Sequence, residues 1–131
     1  MSKYKSLLRR ERIAAVAAEV VDQLARLLSL AGVTIRAKVQ QSKRTGSVYL
    51  KIKVLTVTPE GAGEKLKDCG VAIRISDHHR PGSRCVNFSQ PARRFYGIWF
   101  AASPWLIVGK VNRIGARILA RLRRREEGGE A

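Results

Sequence analysis

The spacing of the apolar residues changes twice along this chain, and these changes constrain the fold more than any other feature. From about residue 8 to residue 31, apolar residues recur at helical spacing, which predicts an amphipathic helix. Gly32 follows at the position where helices prefer a terminating glycine. Apolar and polar residues then alternate, as they do in half-buried strands. After Ser103 and Pro104, which are typical of a helix start, helical spacing returns and predicts a closing helix.

The alternating region predicts a β-hairpin. Its two runs cover residues 33–40 and 48–54, and the turn-like residues 42–46 separate them. In each run one face is apolar and the other face carries Arg or Lys side chains. We predict a third strand at residues 71–76, after a polar, glycine-rich loop at residues 58–68.

The region after the third strand is less regular. We predict a short antiparallel strand at residues 85–89, because the Pro81-Gly82 pair before it forms a turn. Residues 88–105 hold most of the aromatic side chains of the chain. A fifth strand or an irregular segment there closes the core in this prediction, since aromatic side chains dominate protein cores.

These elements predict one α+β domain that spans residues 1–131, with loose ends at about residues 1–7 and 126–131. A chain of 131 residues is long enough to bury a core. Both helices have one apolar stripe, and the antiparallel sheet of three to five strands has one apolar face. The simplest burial places both helices on that face, so the basic face of the sheet stays in solvent.

The positive charge of the chain follows its predicted secondary structure. The formal net charge is +16, from 26 Lys and Arg residues against 10 Asp and Glu residues. A folded domain with this charge favours a polyanion as partner, and we predict binding of nucleic acid through phosphate contacts. Tyr49 shares the basic sheet face, where it could stack on a base or sugar. The cationic candidates occupy the strands, the hairpin tip, the 77–84 turn and one stripe of the last helix: Arg36, Lys38, Lys51, Lys53 and Arg74; Lys43 and Arg44; Arg80 and Arg84; Lys110, Arg113, Arg117 and Arg121.

An enzyme is a weaker hypothesis. Asp77-His78-His79 at a strand end could serve a small metal-dependent nuclease. Neighbouring strand residues point to opposite faces, however, and no other carboxylate has a spacing that brings it there. Cys69 and Cys85 lie too far apart along the predicted strands for a zinc site with both histidines. We therefore predict no catalytic residue, no metal and no cofactor, and leave an interaction protein that binds an acidic protein or a membrane surface as the other alternative.

The sequence also bears on location. The first residues lack the apolar stretch of a signal peptide. The longest charge-free run, residues 95–109, contains Gly97 and Ser103-Pro104 and is shorter than the roughly 20 apolar residues of a spanning helix. Two cysteines do not make a disulfide framework. We expect a soluble, cytoplasmic protein without a transmembrane segment.

Two short motifs resemble a known group of proteins. Ser47-Val-Tyr-Leu50, followed by Val71-Ala-Ile-Arg-Ile-Ser-Asp-His78, is similar to small uncharacterised proteins of phages and mobile elements. Those proteins carry a strand that ends in Arg-Ile-Ser-Asp-His. The resemblance implies a mobile-element setting, in which a phage-type inhibitor of a host factor is one form of the interaction protein. It implies no activity, and the choice between DNA and RNA stays open.

Overall fold

The chain forms a four-stranded sheet, with one helix before the strands in sequence and one helix after them. The computed structural model describes residues 3–57, 64–77 and 94–127. In chain order its elements are α1 (Lys3–Ser29), β1 (Ile35–Gln41), β2 (Val48–Val57), β3 (Glu64–Ser76), β4 (Arg94–Trp99) and α2 (Pro104–Glu127). The predicted α+β class is confirmed. Helix α1 begins earlier than predicted, so residues 3–7 are helical rather than loose.

The strands lie in the order β1-β2-β3-β4. The β1/β2 and β2/β3 pairs are antiparallel, whereas β4 runs parallel to β3. The expectation of a wholly antiparallel sheet is wrong for this last pair, because alternation of residues predicts the faces of a strand but not its direction. Strand β4 falls within the predicted aromatic segment, and the strand predicted at residues 85–89 lies outside the described residues.

Strand β3 starts earlier than its apolar pattern predicts. Val57 of β2 pairs with Glu64, so part of the predicted 58–68 loop is strand. Lys65, Leu66 and Lys67 are exposed there, which explains why this part lacks the alternation of a half-buried strand. Ile52 of β2 pairs with Val71 of β3, whereas the next residue, Lys53, pairs with Asp68. The two β3 residues between these pairs, Cys69 and Gly70, therefore have no counterpart on β2. Because the insertion is two residues long, the alternation of faces continues across it.

Glycine makes two of the sharp turns possible. Gly32 has φ 77° and follows α1. Its amide donates to the Ser29 carbonyl, and the Val33 amide donates to the Leu28 carbonyl, which is the hydrogen-bond pattern of a Schellman motif. Gly70 has φ 77° at the β3 insertion, where a side chain would add backbone strain.

Both helices cover the same face of the sheet. The buried residues of α1, β2 and α2 belong to one hydrophobic core: Ile13, Ala17, Val20, Leu24 and Leu28; Val48, Leu50, Ile52 and Val54; Ile107, Val111, Ile114 and Ile118. The helices approach closely at Gly115, where a Cβ atom would lie 2.5 Å from Leu27 Cδ2. Neither helix of the described part has an apolar stretch sufficient to cross a membrane.

The aromatic residues near β4 divide between core and surface. Tyr96 and Phe100 are partly buried against the core, as predicted. Trp105, in contrast, is 73% exposed in the first turn of α2, and Trp99 is 36% exposed. The expectation of a buried aromatic cluster is therefore wrong for Trp99 and Trp105. Phe88 lies outside the described residues.

Candidate nucleic-acid interface

Four cations lie together on the sheet face that points away from the helices. Arg36 pairs with Lys53 and Lys38 pairs with Lys51 in the β1/β2 register. Their neighbours Leu50, Ile52 and Val54 on β2 point into the core, so strand alternation places the cations on the opposite face. We call Arg36, Lys38, Lys51 and Lys53 the basic quartet. The shared face predicted from strand parity is thus observed for these residues.

The quartet combines like charges at short range. Directly opposite residues of an antiparallel pair have Cβ atoms about 5 Å apart, and residues two positions apart on one strand are about 7 Å apart. Arg36 and Lys38 are exposed, whereas Lys51 and Lys53 are partly buried. Lys53 has Asp68 of β3 on its other side, so carboxylate charge limits the quartet at one corner. Such an array repels itself and attracts the phosphates of a polyanion.

Arg74 shares this face but is not part of an open surface. Tyr49 lies opposite Arg74 in the β2/β3 register. Arg74 is only 7% exposed, and its Cζ atom lies 5.8 Å from the centre of the Phe95 ring. Ala72 and Ser76, on the same face of β3, are also buried. The prediction of a solvent-exposed Arg74 is therefore wrong, because this face of β3 is covered whereas β1 remains exposed.

The hairpin tip presents two more cations on a fixed frame. Lys43 and Arg44 are exposed between β1 and β2. The Ser42 amide donates to the Ser47 carbonyl at 2.8 Å, and Gly46, with φ 79°, donates to the Ser42 carbonyl at 3.0 Å. These bonds close the turn and hold Lys43 and Arg44 at the end of the basic sheet face.

Arg10 of α1 anchors the same tip, and sequence patterns did not single it out. Its guanidinium donates to the carbonyl of Ser42 at 3.2 Å and to that of Lys43 at 2.5 Å. The Gln41 side chain donates in turn to the Arg10 carbonyl at 3.0 Å. At about 100° per residue Arg10 lies on the same side of α1 as Ile13 and Leu28, one turn before the core begins, but only the docking of helix and hairpin reveals its contacts.

The last helix carries a second basic surface, the α2 stripe, which comprises Lys110, Arg113, Arg117, Arg121 and Arg124. At about 100° per residue these positions fall on one narrow flank of the helix, beside its buried face. Arg113, Arg117 and Arg124 are exposed, whereas Arg121 is partly buried. The predicted stripe is therefore present on the surface of the helix layer.

Two members of the α2 stripe contact the sheet. The Lys110 ammonium donates to the Gly97 carbonyl of β4. Partial burial lowers the pKa of Lys110, and the nearby Arg113 charge lowers it further. The Arg121 guanidinium lies against Gly70 of β3, where a Cβ atom would come within 2.7 Å of Arg121 Nη2. These contacts fix the stripe over β3 and β4.

Two long stretches of the chain carry no acidic residue. No Asp or Glu occurs between Asp22 and Glu60, a range that contains the whole quartet, or between Asp77 and Glu126. The exposed face of α1 is mixed instead: Glu11, Glu19 and Asp22 are exposed, and Asp22 pairs with Arg26 at 2.5 Å. The chain segments that form the quartet, the hairpin tip and the α2 stripe therefore contribute only positive charge.

The predicted 77–84 turn is described only at its first residue. Asp77 is exposed and accepts from Arg9 Nη1 at 3.0 Å. His78, His79, Arg80 and Arg84 lie outside the described residues. Within residues 3–57, 64–77 and 94–127, no group of three or more His, Cys, Asp or Glu residues is arranged to hold a metal ion.

Cys69 is buried in the core and donates to the Ile52 carbonyl at 3.2 Å. Burial raises the pKa of its thiol, and the Asp68 charge adds to this. The nearby Val71 amide and Arg121 charge act in the opposite direction. A buried thiol with a raised pKa stays protonated and unreactive at neutral pH.

Comparison of this chain with family models, with curated proteins and with solved structures gives no match.

Proposed function

We propose that this protein binds nucleic acid through phosphate contacts, made by the basic quartet, the hairpin tip and the α2 stripe. The observation that carries this proposal is the pairing of Arg36 with Lys53 and of Lys38 with Lys51 on one face of the sheet. Like charges directly opposite each other destabilise a sheet. A polyanion relieves that repulsion, since each phosphate contact neutralises a cation and releases a counterion.

The proposed contacts recognise the phosphate backbone rather than base edges. Lys and Arg side chains at an exposed sheet face make contacts that orient a protein on nucleic acid without reading its sequence. Lys43 and Arg44 extend the same surface beyond the end of the strands. The proposal therefore predicts similar affinity for different sequences, and either DNA or RNA supplies the required phosphates.

The test is a comparison of two charge-matched variants. One combines Lys38→Gln with Lys51→Gln in the quartet, and the other combines Arg12→Gln with Arg26→Gln on the exposed face of α1. Anisotropy of labelled duplex DNA and duplex RNA measures affinity at fixed low salt. We expect the quartet variant to lose affinity for every sequence tested and the α1 variant to match the wild type. Equal loss in both variants would show that only net charge matters and would remove the quartet from the proposal.

A second candidate function is binding of an acidic protein through α2. The exposed apolar residues Trp105, Leu106 and Val108 favour it, because they lie at the start of the helix that carries the α2 stripe. Apolar side chains beside a basic flank suit a protein partner with acidic and apolar residues. A complex of this kind survives nuclease digestion and weakens in Trp105→Ala, whereas an association held by nucleic acid is lost on digestion.

A further inference from the structure

We infer that one molecule of this protein binds two nucleic-acid duplexes at once, one on the basic quartet and one on the α2 stripe, and so bridges them. This inference rests on the proposed function. It adds that the two basic surfaces are separate sites on opposite layers of the fold.

The quartet belongs to the outer face of the sheet. On β2, Lys51 and Lys53 alternate with the core residues Leu50, Ile52 and Val54. Because both helices pack on the core side, the quartet points away from α1 and α2.

The α2 stripe belongs to the helix layer. Lys110 reaches the carbonyl of Gly97 on β4, and Arg121 lies against Gly70 on β3. The exposed Arg113 and Arg117 lie between these two anchored residues along the helix. The stripe is therefore fixed on the β3 and β4 side of the molecule, whereas the quartet occupies β1 and β2.

Buried residues separate the two surfaces. On the outer face of β3, Ala72, Arg74 and Ser76 are 0%, 7% and 1% exposed. Within the described residues, the solvent-exposed positive charge of this face therefore ends at β2. The distance from β2 to β4 is about 10 Å across the sheet, and a helix layer adds about 10 Å. This separation exceeds the screening length of about 8 Å at physiological salt, so the two surfaces attract anions independently.

The stiffness of a duplex makes two separate ligands necessary. Its persistence length is about 150 base pairs, so a short duplex behaves as a straight rod. A straight rod laid on the outer face of the sheet cannot also contact a flank of the opposite helix layer. Each surface therefore binds its own duplex, and the protein holds the two duplexes on opposite sides.

Energy transfer between two labelled duplexes tests this inference. Each duplex has about 15 base pairs, far below the persistence length, and carries either the donor or the acceptor dye. We expect energy transfer at low salt when the wild type is added, and native mass spectrometry should show one protein with two duplexes. The Lys38→Gln/Lys51→Gln and Arg113→Gln/Arg117→Gln variants should each bind one duplex and give no transfer. Arg12→Gln/Arg26→Gln serves as the matched control and should bridge like the wild type.

The outcomes separate this inference from the proposed function. Saturation of the wild type at one duplex per protein, without energy transfer, would overturn bridging and leave the binding proposal intact. Transfer that arises only from complexes with two protein molecules would also overturn it, since each molecule would then use one surface. Failure of the wild type to bind any duplex at low salt would overturn the proposed function itself.

Discussion

Lys38 of β1 lies directly opposite Lys51 of β2, on the sheet face that points away from both helices. Two cations in this position repel each other in the free protein. The fold therefore keeps an unfavourable arrangement that a bound anion relieves.

Lys38→Gln should stabilise the free protein and weaken its binding to nucleic acid. Removing one charge of the opposed pair should raise the free energy of unfolding by about 0.2–1 kcal/mol at low ionic strength. Urea denaturation measures this gain, which should shrink at high salt because the repulsion is screened. Arg12→Gln on α1, next to Glu11, should show no gain. A Lys38→Gln protein that is less stable than the wild type would contradict the predicted repulsion.

Gly115→Ala and Gly109→Ala should have different effects on stability, although both residues lie within α2. Alanine favours a helix over glycine by about 1 kcal/mol, and a Cβ atom at Gly109 meets nothing within 4 Å. At Gly115 the same atom overlaps Leu27 of α1. We expect Gly109→Ala to raise the free energy of unfolding and Gly115→Ala to be less stable than Gly109→Ala by about 1 kcal/mol or more. Equal gains at both positions would show that α1 and α2 do not pack closely at Gly115.

The fold was largely predictable from the spacing of apolar residues. Ile13, Val20 and Leu28 indicated the buried face of α1, and Ile114 and Ile118 did the same for α2. The direction of β4 was not predictable, since alternation is identical in parallel and antiparallel strands. The early part of β3 was missed because Lys65, Leu66 and Lys67 are exposed and show no alternation in burial.

The candidate site was predictable where it depends on strand parity and helix periodicity. Those rules placed Lys38 and Lys51 on one face and Arg113 and Arg117 on one flank. They did not predict the burial of Arg74, because burial depends on which segments cover a face. The contacts of Arg10 with the hairpin tip also needed the tertiary structure, since they join residues far apart in the chain.

Arg10→Lys should loosen the hairpin tip. Lysine retains the charge but cannot donate in the forked geometry that reaches both the Ser42 and the Lys43 carbonyls. Hydrogen bonds from charged groups contribute about 1.5–3 kcal/mol each, so the Gly46 amide should exchange its hydrogen faster. Hydrogen exchange measures this change. Arg9→Lys is the control, because the Arg9 guanidinium donates to the exposed Asp77 carboxylate rather than to the hairpin tip in the part of the chain that the structure describes. Unchanged exchange at Gly46 in Arg10→Lys would contradict the anchoring role.

Cys69 should make the fold less stable at high pH. Burial raises the pKa of its thiol above the ordinary value of 9.0, so the folded state keeps a proton that the unfolded state releases. Stability from this group is fully present below pH 9.0 and declines as the pH rises toward the folded pKa. The decline is at most about 1.4 kcal/mol per pH unit. Urea denaturation of the wild type and of Cys69→Ser, at about pH 7 and about pH 10, isolates this effect. A difference between the two proteins that is the same at both pH values would contradict it.

The dependence of affinity on salt concentration tests phosphate binding most directly. Anisotropy of a labelled duplex gives the association constant of the wild-type protein at several salt concentrations. We predict a linear fall of its logarithm with the logarithm of salt concentration, and a slope of about −0.9 for each phosphate neutralised. Lys38→Gln/Lys51→Gln should make that slope shallower by up to about 2. An affinity that does not change with salt, or no binding to a duplex at low salt, would contradict the proposal that this protein binds nucleic acid through its basic surfaces.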